Sequence, residues 1–317
     1  MRYSLLSRFR GALLGSFVGE ILGSGGAGRR VSGKAMLIPP EREDANSVPT
    51  LSDWSQIAVC GTESLIRCGK LDMEDWLLHS GMMQSSLLLL KTTASSSEAA
   101  VATLPIALFF HEDEVKLRQQ LLKAAAVWQQ DSSESEDVLA VALAIALALT
   151  EKLDLTTLIP RTLAYLGTSQ TPLVNQLEKV QTLIDQGAGL DTTLTQLRQD
   201  AQRTGKGENR SDMSIALAFY CFLNTPEDFR LCVTRAARTG YQPQTTAALT
   251  GALSGVYNSV IGIPIEWRLT SNRISTGIQR LQQADRLLAL WSGVYDVSAV
   301  DQCQQAAVAA PRVIQPR

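Results

Sequence analysis

Glycine stands at positions 11, 15, 19 and 23 in "GALLGSFVGEILG", one every fourth residue, and apolar side chains fill most of the space between. On a helix this spacing puts all four on one face. Each glycine costs a helix about 0.5–1 kcal/mol relative to alanine, so the stripe needs a compensating contact. Packing against a second membrane-spanning helix is one possibility. It fails on length, because the run is 13 residues, contains Glu20, and a span needs about 20. A secretory leader is opposed by the same glutamate and by "GSGGAGRR", which is no A-x-A cleavage site. The remaining possibility is a buried crossing with another backbone, and the chain carries a partner. Residues 250–262, "TGALSGVYNSVIG", place Gly251, Gly255, Ser259 and Gly262 at similar intervals. The two stretches predict small-faced helices crossing in one core.

Helical periodicity dominates elsewhere. Amphipathic segments run over 53–69, 113–128, 171–187, 190–205, 212–224, 225–240 and 274–295. Starts are expected at Thr171, at Asp212 and at Thr225, the last with Pro226 in the first helical position. "VLAVALAIALAL" (138–149) is too short to span a membrane and too alanine-rich for a strand, so it reads as a core helix. No βαβ rhythm occurs. The expected fold is all-α, with ten or more helices in one domain over 1–305 and a tail over 306–317.

Composition removes several function classes. The chain has 317 residues, 45% hydrophobic and 19% charged, and a net charge of −2 with no block of like charge. Neither nucleic acid nor a membrane is expected as a partner. Five cysteines, at 60, 68, 221, 232 and 303, form no CxxC. They read as reduced, mostly buried thiols of a cytoplasmic protein. His79 and His111 have no partner cluster and read as surface or helix-end residues. "GSGGAG" (23–28) has the letters of a dinucleotide loop but follows a helix, and "TGKGEN" (204–209) lacks the Walker frame.

Several stretches together resemble the ADP-ribosylglycohydrolases. "RGALLGSFVGEILGS" is similar to that family's opening helix, with Glu20 where the family has aspartate in a "GDALG" element. "LSDWSQIAVCGTESLIRCGKLDMEDW" resembles the helix headed by "TDDT", the motif here reading Ser52, Asp53, Trp54, Ser55. "SSSEAAVATLP" (95–105) stands where the family has a glycine-rich phosphate loop and R-x-x-P, keeping Pro105 but with Ala102 for the arginine. Residues 212–268 resemble the C-terminal signature and keep Ile263, Pro264 and Trp267. Its "GDxDT" turn reads Tyr241, Gln242, Pro243, Gln244, Thr245. The resemblance covers about residues 8 to 295.

It implies an all-α fold whose two glycine-faced helices bring two metal-binding turns together. Active members resemble binuclear Mg²⁺ or Mn²⁺ hydrolases that cleave the glycosidic bond to ADP-ribose. Of the four carboxylates implied, only Asp53 is kept; Trp54, Gln242 and Gln244 replace the others, while Ser52 and Thr245 keep hydroxyls. No metal cofactor is expected on this reading, and the chain is expected to be a pseudoenzyme that binds a protein or an ADP-ribose-like molecule, much as lens crystallin relatives resemble members recruited for structure. The alternatives are a hydrolase using Glu20 and Asp53 as an acid/base pair, with one Mg²⁺ or Mn²⁺ or none, and a sensor that holds ADP-ribose without cleaving it. Asp53 also reads as a plain helix cap. Glu20 reads as a buried carboxylate paired with Arg29 or Arg30. Trp54, Tyr241 and Trp267 read as an aromatic plug over the pocket.

Overall fold

The computed structural model describes residues 3–25, 51–80, 95–128, 135–167, 171–203 and 213–293. These form fifteen helices and no strand. In chain order they are α1 (Leu5–Ser24), α2 (Asp53–Cys68), α3 (Met73–His79), α4 (Ser96–Ala102), α5 (Leu104–Phe109), α6 (Glu114–Trp128), α7 (Ser135–Leu149) and α8 (Leu158–Leu166). There follow α9 (Pro172–Asp185), α10 (Leu190–Arg203), α11 (Ser214–Asn224), α12 (Phe229–Ala237), α13 (Pro243–Gly262), α14 (Ile265–Ser271) and α15 (Ser275–Trp291).

The glycine stripes meet. Gly11 faces Gly255, Gly15 faces Gly251, Gly19 faces Ala247, and Gly23 faces Pro243. As one number rises by four the other falls by four, so α1 and α13 run antiparallel and touch over three turns. At each point a Cβ would collide with backbone. Here glycine is required by close approach. α13 breaks once, at Ser259, whose φ of 60° and ψ of 178° are not helical. This break lies against Gly11. α7 is buried on all sides from Val138 to Leu149, and α11 from Ser214 to Phe222. Neither needs a polar face, which explains their uninterrupted apolar sequence. Among the described residues no single helix is long and apolar enough to cross a membrane; α13 and α14 reach that length only across a 99° bend.

The helix starts revise several expectations. α2 is capped by Ser52, whose Oγ accepts from the Ser55 N–H at 3.3 Å. Asp53 is therefore the first helical residue and not the cap, and its exposed charge still suits the positive end of the helix. α12 is capped by Asp228, which accepts from Leu231 N–H at 2.9 Å; Thr225 instead ends α11. α11 begins after Met213, and Asp212 lies outside the described residues. Thr171 caps α9 ahead of Pro172, as its sequence implies. Both histidines stand at helix ends, His79 closing α3 and His111 just past α5, but His111 is buried and not on the surface: its ring packs on Phe9 and Trp291, and Nδ1 lies 2.7 Å from the Leu108 carbonyl. Cys221 and Cys232 are buried and Cys60 and Cys68 half-buried, all four as free thiols. Cys303, residues 26–50 and residues 306–317 lie outside the described residues.

Candidate functional site

The Gly19 and Gly23 contacts bring the start of α13 against the second half of α1, and Glu20 stands between them. It is 2% exposed. One carboxylate oxygen accepts from the Ser52 backbone N–H at 2.6 Å and from Gln244 Nε2 at 3.1 Å. The other accepts from Ser55 Oγ. Two helix starts, α2 and α13, thus deliver their donors to one buried carboxylate, where the helix ends also favour negative charge. Behind them lies Arg280 of α15, 4% exposed, donating through Nη2 to the Ser55 carbonyl at 3.1 Å. Burial brings its guanidinium down to about 10, a fall that the nearby Glu20 charge opposes. It remains a cation at neutral pH.

A second node forms around Gln242, the residue before α13, held at φ 36° and ψ 57°. This left-handed conformation is unusual for a side chain other than glycine. Its Oε1 accepts from Ser214 Oγ at 3.0 Å, Ser97 Oγ at 3.1 Å and Ser95 Oγ at 3.5 Å. The starts of α4 and α11 are thereby tied to the start of α13. α4 carries a capping box, with Ser95 N–H donating to Glu98 at 2.9 Å. Ser96 Oγ donates to Asp137 in the first turn of α7. Five helix starts, α2, α4, α7, α11 and α13, are linked through hydroxyls, amides and two buried acids. Among the described residues, no three His, Cys, Asp or Glu side chains group closely enough to hold a metal ion.

A family profile described as ADP-ribosylglycohydrolase matches residues 1–297. The chain belongs to the ADP-ribosylglycohydrolase family. Among solved structures, a chain described as "ADP-ribosylglycohydrolase-related protein complex" superposes with a TM-score of 0.62. The match covers 90% of this chain and 99% of that one at 19% identity, which carries the fold. No curated protein matches.

Within an ADP-ribosylglycohydrolase frame, the structure brings Glu20, Ser52 and Gln244 into one cluster and sets Gln242 in the adjoining one. Asp53 stays exposed, and Thr245 is half-buried in the first turn of α13. Trp54 is 5% exposed and joins the core. Trp267 is not part of a plug with Tyr241: it follows the last turn of α13, whereas Tyr241 precedes the first, and its ring packs on Phe229 and under Arg230. Arg29 and Arg30 lie outside the described residues; the arginine whose charge Glu20 meets here is Arg280. Ser97, Ser214 and Arg280 were given no role from the sequence, and Ser55 was named only as the last position of the "SDWS" motif. Ser55 had a signal, three residues after a capping serine. Arg280 had none, because one arginine in an amphipathic helix reads as solvent-facing.

Proposed function

We propose that this chain is a non-catalytic member of its family, acting by binding or as a structural partner. The supporting observation is that Gln242 and Gln244, at positions resembling a metal turn, are hydrogen-bonded to the protein itself, as is Glu20. A pair of hard dications needs several oxygen ligands, preferably carboxylates. Gln242 Oε1 has two lone pairs and receives three hydroxyls. Gln244 turns its amide donor toward Glu20, so on that side it offers no oxygen to a cation. Each carboxylate adjacent to a dication contributes on the order of ten kcal/mol of raw attraction at an effective ε of ~20. Three are replaced here, by Trp54, Gln242 and Gln244. The residues present do not fit the metal pair.

The acid/base alternative has less support. Both Glu20 oxygens accept hydrogen bonds in a site closed to solvent, and Asp53 lies on the exposed side of α2. The test is turnover. Purified protein incubated with ADP-ribosyl-arginine and ADP-ribosyl-serine peptides, with Mg²⁺, with Mn²⁺ and with EDTA, is expected to release no ADP-ribose. Release above buffer in any arm, abolished by Glu20→Gln or Asp53→Asn, overturns the proposal.

A further inference from the structure

We infer that hydrogen bonds and one buried arginine have taken over the structural task of a metal pair, so that a metal-free polar clasp ties the helix starts together. The inference rests on the non-catalytic reading and adds what holds the cleft in place of ions. The first half of the clasp is Glu20, which joins α1 to the starts of α2 and α13 through Ser52, Ser55 and Gln244. The second is Gln242, which joins α13 to the starts of α4 and α11 through Ser97 and Ser214. Together they hold the starts of four helices, α2, α4, α11 and α13. The left-handed backbone at Gln242 is unfavourable for a residue with a side chain, and such a conformation persists only where the surroundings hold it. The three hydroxyls on its side-chain oxygen are those surroundings.

Charge completes the case. A buried carboxylate without a counter-charge is strongly disfavoured. In an ion-loaded site the cation would supply that charge. In this chain Arg280 supplies it from the far side of Ser55, and it does so permanently, because a guanidinium does not dissociate from the chain. A dication entering beside Glu20 would meet this fixed positive charge in a buried environment, where repulsion is poorly screened. It would also have to displace the Gln244 amide and the Ser55 hydroxyl. Arg280 is thus a positioning residue: it binds the Ser55 carbonyl and lends its charge to the carboxylate that the Ser55 hydroxyl meets.

The experiment is thermal unfolding of the whole chain by circular dichroism. Wild type is measured in EDTA, in Mg²⁺ and in Mn²⁺, and then Glu20→Gln, Arg280→Met and the double variant in EDTA. The wild-type Tm is expected to be the same in all three solutions, since an ion bound only by the folded state would raise it by mass action. Each single variant is expected to lose several degrees, and the double variant less than the two losses together, because removing both charges leaves neither stranded. Gln244→Asp sets a second carboxylate against Glu20; its Tm is expected to fall in EDTA and to recover in Mn²⁺, whereas Gln244→Leu falls without recovery. A saturable rise of the wild-type Tm with either metal overturns the clasp, as do strictly additive losses in the charge variants. Where the charge variants do not fold, the wild-type comparison alone decides. The two readings fail separately. Metal-stabilised protein that releases no ADP-ribose removes the clasp and leaves the non-catalytic reading standing; release of ADP-ribose with a Tm indifferent to EDTA does the reverse.

Discussion

Replacing Gly15 with alanine should destabilise the protein although alanine is the better helix former. A Cβ at this position would lie 3.0 Å from the Gly251 carbonyl carbon, nearer still to its oxygen, and 3.1 Å from Phe229 Cε2, where ordinary contact begins at 3.4 Å. The two nearest obstructing atoms belong to a buried helix backbone, which cannot swing aside as a side chain might. α1 and α13 must part by about 1 Å, and a gap of that size forfeits a quarter to a half of each atom pair's attraction of ~0.1–0.2 kcal/mol. Over on the order of fifty pairs the loss is about 2–4 kcal/mol. Alanine returns about 1 kcal/mol of helix propensity. The net expectation is a loss of about 1–3 kcal/mol, the usual range for overpacking. In urea denaturation followed by circular dichroism this lowers the midpoint by roughly 0.3–1 M at an m of ~3 kcal/mol/M, with m unchanged. Gly25→Ala is the control. Gly25 ends the same helix at φ −68° with no neighbour within 3.5 Å, and alanine there should be neutral or slightly stabilising. Gly251→Ala should match Gly15→Ala, and the pair together should cost less than the sum, since one separation serves both. A Gly15→Ala protein as stable as wild type would refute the backbone-contact account of the stripe.

Two further outcomes follow from local geometry. Ser259 holds a backbone region that only glycine adopts readily, with its Oγ accepting from Ile261 N–H at 3.2 Å; Ser259→Gly should raise the urea midpoint by up to ~1 kcal/mol equivalent while Ser259→Ala lowers it, and a reversed order would count against strain there. The Arg67 guanidinium and then the Ser64 hydroxyl hold the Asp75 carboxyl far below its ordinary value of 3.8, so its contribution is complete above that value and is lost as pH falls through the depressed one. Arg67→Ala should therefore cost less than ~1 kcal/mol at neutral pH, as befits a half-exposed pair, and the gap to wild type should close as the solution is acidified below 3.8; a gap that widens in acid would contradict this.

The scaffold was readable because its demands are periodic. A glycine every fourth residue has one geometric meaning on a helix, and the facing of Gly11 and Gly15 with Gly255 and Gly251 follows from it; that the seam continues to Ala247 and Pro243, and not to Gly262, was not legible because neither residue is a glycine. Runs such as 138–149 need only be apolar on every side to be placed in the core. Helix starts were harder, since "LSDWS" and "NTPED" each offer three residues able to cap. Choosing Ser52 over Asp53, or Asp228 over Thr225, depends on backbone angles that neighbours impose. The site was legible as a set of turn positions and not as a network. Nothing in the sequence near Glu20 points to Arg280, 260 residues away, nor shows that Gln242 receives hydroxyls from two other helices. Such contacts are made by the tertiary fold and leave no local periodicity.

The antiparallel register of α1 and α13 also orders events in time. Gly11 and its partner Gly255 are 244 positions apart. At synthesis rates of ~5–20 residues per second, α1 waits for tens of seconds before the surface it fits has been made. During that interval its glycine stripe lacks the backbone it packs against, although Phe9 and Glu20 already have partners in His111, Ser52 and Ser55. The centre of this protein can therefore close only late, when most of the chain has been released. A ribosome-bound chain stalled before residue 243 should display α1 to chaperones or to proteases, and one stalled after residue 262 and clear of the exit tunnel should hide it.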